Sequence, residues 1–241
     1  ATNQLTYSVQ RAILGDQGEA SFAAQLRRYV DWGFESFKVK LSKDALANQR
    51  KVELLAEVRL RPAQLRADAN NLWPRAADAI AALNQIHGSF SALEEPLPPG
   101  DFAGMRALGD AFGLRLILDE SFLRREHFAA IERDPQRWMI NLRVSKMGGL
   151  IRSLEVARLA AERNIPVIVG AQVGETSLLT RAGITVAGVA GPNLYAQEGA
   201  FGTHLLQTDV VDPPLGFGAG GWLSLQNALP PPIARPQDHF G

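Results

Sequence analysis

Three apolar runs of this chain end abruptly in carboxylates: Leu65-Arg66-Ala67-Asp68-Ala69-Asn70, Leu93-Glu94-Glu95-Pro96-Leu97 and Leu116-Ile117-Leu118-Asp119-Glu120. Asp68, Glu94 and Asp119 lie 26 and 25 residues apart, about the length of one strand-helix unit, so in a parallel barrel they emerge side by side at one rim. Three converging carboxylates repel one another unless a hard divalent cation lies among them. Oxygen donors of this kind suit Mg²⁺, with Mn²⁺ as a substitute. Acids also follow strands as N-caps of the next helix, but three at near-constant spacing favour the metal.

Lysine is scarce, with five in the chain, and two of them fall in Phe37-Lys38-Val39-Lys40. Strand alternation puts Lys38 and Lys40 on one face, opposite Phe37 and Val39, so both are expected to point into the barrel mouth beside the acids. An amine that is partly desolvated near a metal has a lowered pKa and serves as a general base near neutrality. The plainer alternative is a strand-end lysine reaching out to solvent. Two on one inward face of a lysine-poor chain make that the weaker reading.

These residues need elements to position them. Apolar periodicity and Gly/Pro punctuation predict strands at 6–14, 36–41, 64–69, 90–93, 114–118, 138–144, 166–170 and 194–197. Helices are predicted between them at 20–32, 45–59, 76–86, 102–112, 126–132, 153–163 and 177–189. Eight strands alternating with seven helices describe an α/β chain folded as a TIM-like, modified (β/α)₇β barrel. Residues 1–202 form that barrel, and 203–241 are read as an irregular Pro/Gly-rich tail packing on it. Net charge is zero over 241 residues, there is no cysteine, and no apolar run approaches membrane-spanning length. A nucleic-acid surface, disulfides and a membrane span are therefore not expected. A small-molecule partner and a cytoplasmic location are.

Lys38-Val39-Lys40, Asp68-Ala69-Asn70, Glu94-Glu95-Pro96, Asp119-Glu120-Ser121 and Ser145-Lys146-Met147-Gly148-Gly149, in that order, resemble the enolase superfamily, in particular its muconate-lactonizing and dipeptide-epimerase-like branch, related to mandelate racemase. The resemblance implies Mg²⁺ held by Asp68, Glu94 and Asp119, and removal of a proton α to a substrate carboxylate through an enediolate. It assigns Lys40 as a base and Lys38 as the group that polarises the carboxylate. The physical logic agrees: deprotonation beside a carboxylate adds a second negative charge, which a cation and an ammonium stabilise where it develops.

Two departures stand out. The branch has its opposing lysine on the sixth strand, where spacing from Asp119 puts Arg143 here, and Lys146 follows three residues later. Arginine stays protonated, so Arg143 suits holding a carboxylate better than accepting a proton. One-base elimination (dehydration) or cycloisomerisation by Lys40 is then the expected reaction. The alternatives are a two-base racemase or epimerase using Lys40 and Lys146, and a catalytically reduced barrel serving as a binding or assembly subunit. Lys146 has the wrong strand parity unless Gly148-Gly149 lets the backbone turn it inward. The second departure is the α+β capping domain of the superfamily, of which this chain shows nothing before its first barrel strand. A cap from a longer polypeptide or another chain, an open site, and a homo-oligomer are all compatible with that.

Asn70, Glu120, Gln172 and Glu175 are the candidates for contacting substrate. Glu198, at the end of the eighth strand, is read by default as a loop acid. The Asp-x-Asp pair that binds an α-ammonium in dipeptide epimerases has no counterpart around Tyr195-Ala196-Gln197-Glu198. Gly216-Phe217-Gly218-Ala219-Gly220-Gly221 matches G-x-G-x-x-G as a string but lacks the strand-helix setting of a dinucleotide site.

Overall fold

Strand β3 (Phe37–Lys40) shows the rule that builds the molecule: its alternate residues face a helical layer on one side and the barrel interior on the other. The structure, a computed structural model, describes residues 6–8, 12–15, 18–58, 60, 65–172, 174–198, 207–215 and 219–224. The other barrel strands are β2 (Ala12–Leu14), β4 (Leu65–Asp68), β5 (Ala92–Glu94), β6 (Arg115–Leu118), β7 (Trp138–Arg143), β8 (Val167–Gly170) and β9 (Leu194–Gln197). All eight run parallel in sequential order from β2 to β9, giving the (β/α)₇β barrel that the alternation predicts. The sheet curls far enough for the hydroxyls of Ser91, just before β5, and Tyr195, on β9, to lie 3.3 Å apart.

The helices that cover it are α1 (Glu19–Asp31), α2 (Ala45–Glu57), α3 (Ala76–Leu83), α4 (Phe102–Phe112), α5 (Leu150–Glu162) and α6 (Ser177–Ala190). Outward residues such as Phe37, Val39, Leu93, Leu116, Leu118, Ile140, Leu142 and Val169 pack beneath them. Inward residues divide by height. Ala92, Ile117, Met139, Ile168 and Ala196 meet as an apolar plug inside the barrel. Above it, at the strand C-termini, the inward positions become charged.

Two expectations change. The first predicted strand is two short pieces, β1 (Thr6–Ser8) and β2, and β1 leaves the barrel to pair antiparallel with β10 (Trp222–Ser224). The helix predicted at 126–132 is a 3₁₀ turn at Arg125–Ala130 followed by another at Pro135–Arg137. Here buried Phe128 packs on Phe122 with ring centroids 4.9 Å apart, and Pro135 prevents a longer α-helix. The predicted tail is tied to the barrel where it is described: the Asp209 carboxylate accepts bonds from Ser177 N at 3.0 Å and Ser177 Oγ at 2.7 Å, and so caps α6. The proposed division at 202 lies outside the described residues, as does the first half of the G-x-G-x-x-G string. Among the described residues, no helix is long and apolar enough to cross a membrane.

Helix α2 follows the β3 loop, so its start fixes where Lys40 leaves the sheet. Asp44 caps it by accepting from Leu46 N at 2.9 Å and Ala47 N at 3.1 Å. Asp44→Ala is expected to lower stability by about 1 kcal/mol, read as a reduced urea midpoint with an unchanged slope.

Candidate active site

The charged residues at the strand ends form one connected network. Lys38 is almost fully buried, and its Nζ donates to Glu94 Oε2 at 3.2 Å and Glu198 Oε2 at 3.0 Å while lying 3.5 Å from Asp68 Oδ2. Burial alone would pull its pKa down, but Glu198, then Glu94 and Asp68, overrule it, and Lys38 is held well above the usual lysine range. It is an ammonium, not a base. Lys40, one step nearer the rim, donates to Asp68 Oδ2 at 2.7 Å and to Asn70 Oδ1. Glu94 also accepts from Asn141 Nδ2 at 2.7 Å, and burial raises its pKa.

At the other end of the carboxylate row, Asp119 is held twice. Arg143 reaches Oδ2, and Lys146 reaches Oδ1 while also donating to the Asp119 carbonyl at 2.6 Å and the Asn141 carbonyl at 3.0 Å. Lys146 is thus inside the site, contrary to its strand parity. It follows the end of β7, in a turn that closes through Met147 N on Arg143 O at 3.0 Å and Gly149 N on Val144 O at 3.0 Å. Gly148 and Gly149 sit at φ +81° and +110°, conformations that favour glycine, and so permit that turn. Burial, then the adjacent Arg143 guanidinium, lower the Lys146 pKa to about 7.

Of the remaining candidates, Gln172 accepts from Arg143 Nη1 at 3.1 Å, and the Glu175 carboxylate accepts from Gln172 N at 2.8 Å, with burial raising its pKa. Glu120 borders the site, and its Oε2 is buried without a partner. Arg66 and Asn141, absent from the sequence candidates, share the inward faces of β4 and β7 with Asp68 and Arg143, and that parity is the signal for them. Glu198, expected as a loop acid, is buried and bonded to both Lys38 and Arg66 Nη2.

Glu95 was likewise unassigned. It follows Glu94 at φ +36°, strained for a non-glycine residue, and the turn points its carboxylate sideways into the β6 loop. There it accepts from Asp119 N at 2.7 Å, from Ser121 N at 3.2 Å and from Ser121 Oγ, fixing where Asp119 stands.

The donor set of Asp68, Glu94 and Asp119 fits a hard divalent cation: carboxylates at the ends of three successive strands, with β4–β5 register placing Asp68 beside Glu94. In the arrangement observed, however, no three acids among the described residues converge closely enough to hold one. Each of these acids is paired with lysine or arginine: Asp68 with Lys38 and Lys40, Glu94 with Lys38, and Asp119 with Arg143 and Lys146.

Residues 21–226 match the model of the enolase C-terminal domain-like family. The chain belongs to this family. The L-Ala-D/L-Glu epimerase of Bacillus subtilis is 28% identical over 68% of this chain and 44% of its own length. The N-succinyl-L-Arg/Lys racemase of Bacillus cereus is 24% identical over 73% of this chain and 47% of its own. The chain therefore spans about half the length of these relatives. The barrel superposes with a TM-score of 0.77 on a dipeptide epimerase from Cytophaga hutchinsonii complexed with Mg and the dipeptide D-Ala-L-Val, at 21% identity, covering 90% of this chain and 58% of that one.

Burial raises the Glu95 pKa from the ordinary 4.5 to about 7. Between these values the folded state binds more protons than the unfolded chain, so this contribution to stability is complete below pH 4.5 and is lost as pH rises through about 7. Glu95→Gln, which cannot ionise, should therefore gain stability relative to the parent protein across that interval. Urea melts of both proteins at several pH values measure the difference.

Proposed function

We propose that this chain is the catalytic barrel of a Mg²⁺-dependent enzyme that removes a proton α to the carboxylate of a small substrate and returns it to the opposite face, as an epimerase or racemase does. The observation that carries the reading is the pair of amines flanking the carboxylate row: Lys40 on Asp68 at one end and Lys146 on Asp119 at the other. Mg²⁺ held by Asp68, Glu94 and Asp119 would supply Lewis-acid stabilisation of the negative charge that develops on the substrate carboxylate.

The chain's own residues do the rest. Lys146, lowered to about 7, has a substantial uncharged fraction at neutral pH and accepts a proton, while Lys40 serves the opposite face. Lys38 remains an ammonium and stabilises the developing enediolate. Removing such a group typically costs on the order of 10²–10³ in rate. Arg143, anchored between Asp119 and Gln172, holds the acid and leaves proton transfer to the lysines. The Lys40 side chain is 28% exposed, so the proposal includes a covering segment, from a longer polypeptide or another chain, that excludes water and strengthens these interactions.

The substrate class we propose is an amino acid acylated at nitrogen. Glu198 is committed to Lys38 and Arg66 and is not available to an α-ammonium, which favours an N-acyl amino acid over a dipeptide. The relatives named as epimerase and racemase support the reaction type. Elimination or cycloisomerisation by a single base is the second reading, supported by Arg143 at the end of β7.

In D₂O with Mg²⁺, the protein is expected to place deuterium at Cα and to convert one enantiomer into the other. Lys40→Ala and Lys146→Ala should each slow inversion by about 10²–10⁴-fold while leaving exchange from opposite enantiomers. Nuclear magnetic resonance and chiral chromatography across N-acyl amino acids and dipeptides read both. Exchange without inversion in the parent protein would select the one-base reading, and no exchange the binding-subunit reading.

A further inference from the structure

Next to Lys38 lies a buried pair, Arg66 and Glu198, to which the proposed proton transfer gives no role. Arg66 is fully buried, and only its Nη2 is bonded, to Glu198 Oε1, while Nε and Nη1 meet no partner. The other Glu198 oxygen accepts from Lys38 Nζ at 3.0 Å. The Lys38 ammonium is therefore shared among three carboxylates, of which Asp68 and Glu94 belong to the proposed cation site and Glu198 does not.

A dication arriving at Asp68 and Glu94 takes two of these partners away and repels the ammonium. A buried ammonium left without an acid is strongly disfavoured. Around Lys38 the charges balance, with Lys38, Lys40 and Arg66 against Asp68, Glu94 and Glu198. Without Glu198, Lys38 would compete directly with the cation.

We propose that Glu198, oriented by Arg66, is a positioning residue that receives Lys38 when the cation binds and thereby sets the affinity of the site for Mg²⁺. This rests on the Mg²⁺ reading above. Arg66 occupies one oxygen of Glu198 and leaves the other aimed at Lys38, so the ammonium has a fixed place to remain, close enough to meet substrate yet no longer bridging the metal ligands.

Calorimetric titration of the full chain with MgCl₂ tests this. Glu198→Gln keeps an oxygen for Arg66 but removes the charge, and is expected to raise the dissociation constant about 10–100-fold, the range for partners outside the ligand set. Lys38→Met removes the competitor and should tighten binding. In the Lys38→Met background, Glu198→Gln should cost far less than it does alone. Equal binding by the parent protein and Glu198→Gln, or the same loss in both backgrounds, overturns the proposal while leaving the Mg²⁺ reading intact. A parent protein that does not bind Mg²⁺ overturns that reading and this inference with it. If Glu198→Gln does not fold, Lys38→Met alone decides: tighter binding supports the proposal, and unchanged or weaker binding overturns it.

Discussion

Ionised side chains inside a barrel must be paired, because an isolated charge removed from water costs more than the packing around it returns. The arrangement at the strand ends follows from that constraint. Lys38 has three acids within ion-pair distance, Asp119 has two bases, and Glu198 lies between Lys38 and Arg66. The same pairing sets the chemistry. Lys38 stays charged because acids surround it, while Lys146 lies beside Arg143, whose positive charge adds to the effect of burial and eases loss of the proton.

Backbone geometry at the ends of the strands determines which of these groups meet. A parallel strand delivers inward side chains only at alternate positions, and the residues that break this rule here do so in turns. Glu95 departs from β5 at positive φ and pins the Asp119 loop. Gly148 and Gly149 bend the chain after β7 and bring Lys146 to the acid that Arg143 also holds. Gly170 on β8 serves by absence of bulk, since a Cβ there would collide with Asn141 Oδ1, whose amide nitrogen bonds Glu94.

The family supplies a frame in which one barrel carries several reactions, and the difference must lie in the rim residues. Here β7 ends in Arg143, and Lys146 stands beside it from the following loop. A lysine on a loop answers to different constraints than one on a strand: it is placed by hydrogen bonds to the Asp119 and Asn141 carbonyls, not by pleat.

The sequence by itself determined the barrel, the order of its strands, and the inward placement of Lys38, Lys40, Asp68 and Glu94, with Asp119 one residue past β6 on the same face. Those follow from two local periodicities, alternation along strands and apolar stripes along helices, which neighbouring residues encode directly. Arg66 and Asn141 were legible by the same alternation, being two residues before Asp68 and Arg143. What only the tertiary structure decided are the contacts between distant strands and the exits from them. Glu198 meets Lys38 and Arg66 across 160 and 132 residues because the sheet curls. Lys146 reaches Asp119 because a turn overrides parity. Pairing of the acids with lysine and arginine likewise depends on charges that several strands bring into one buried space, a balance that no local pattern records.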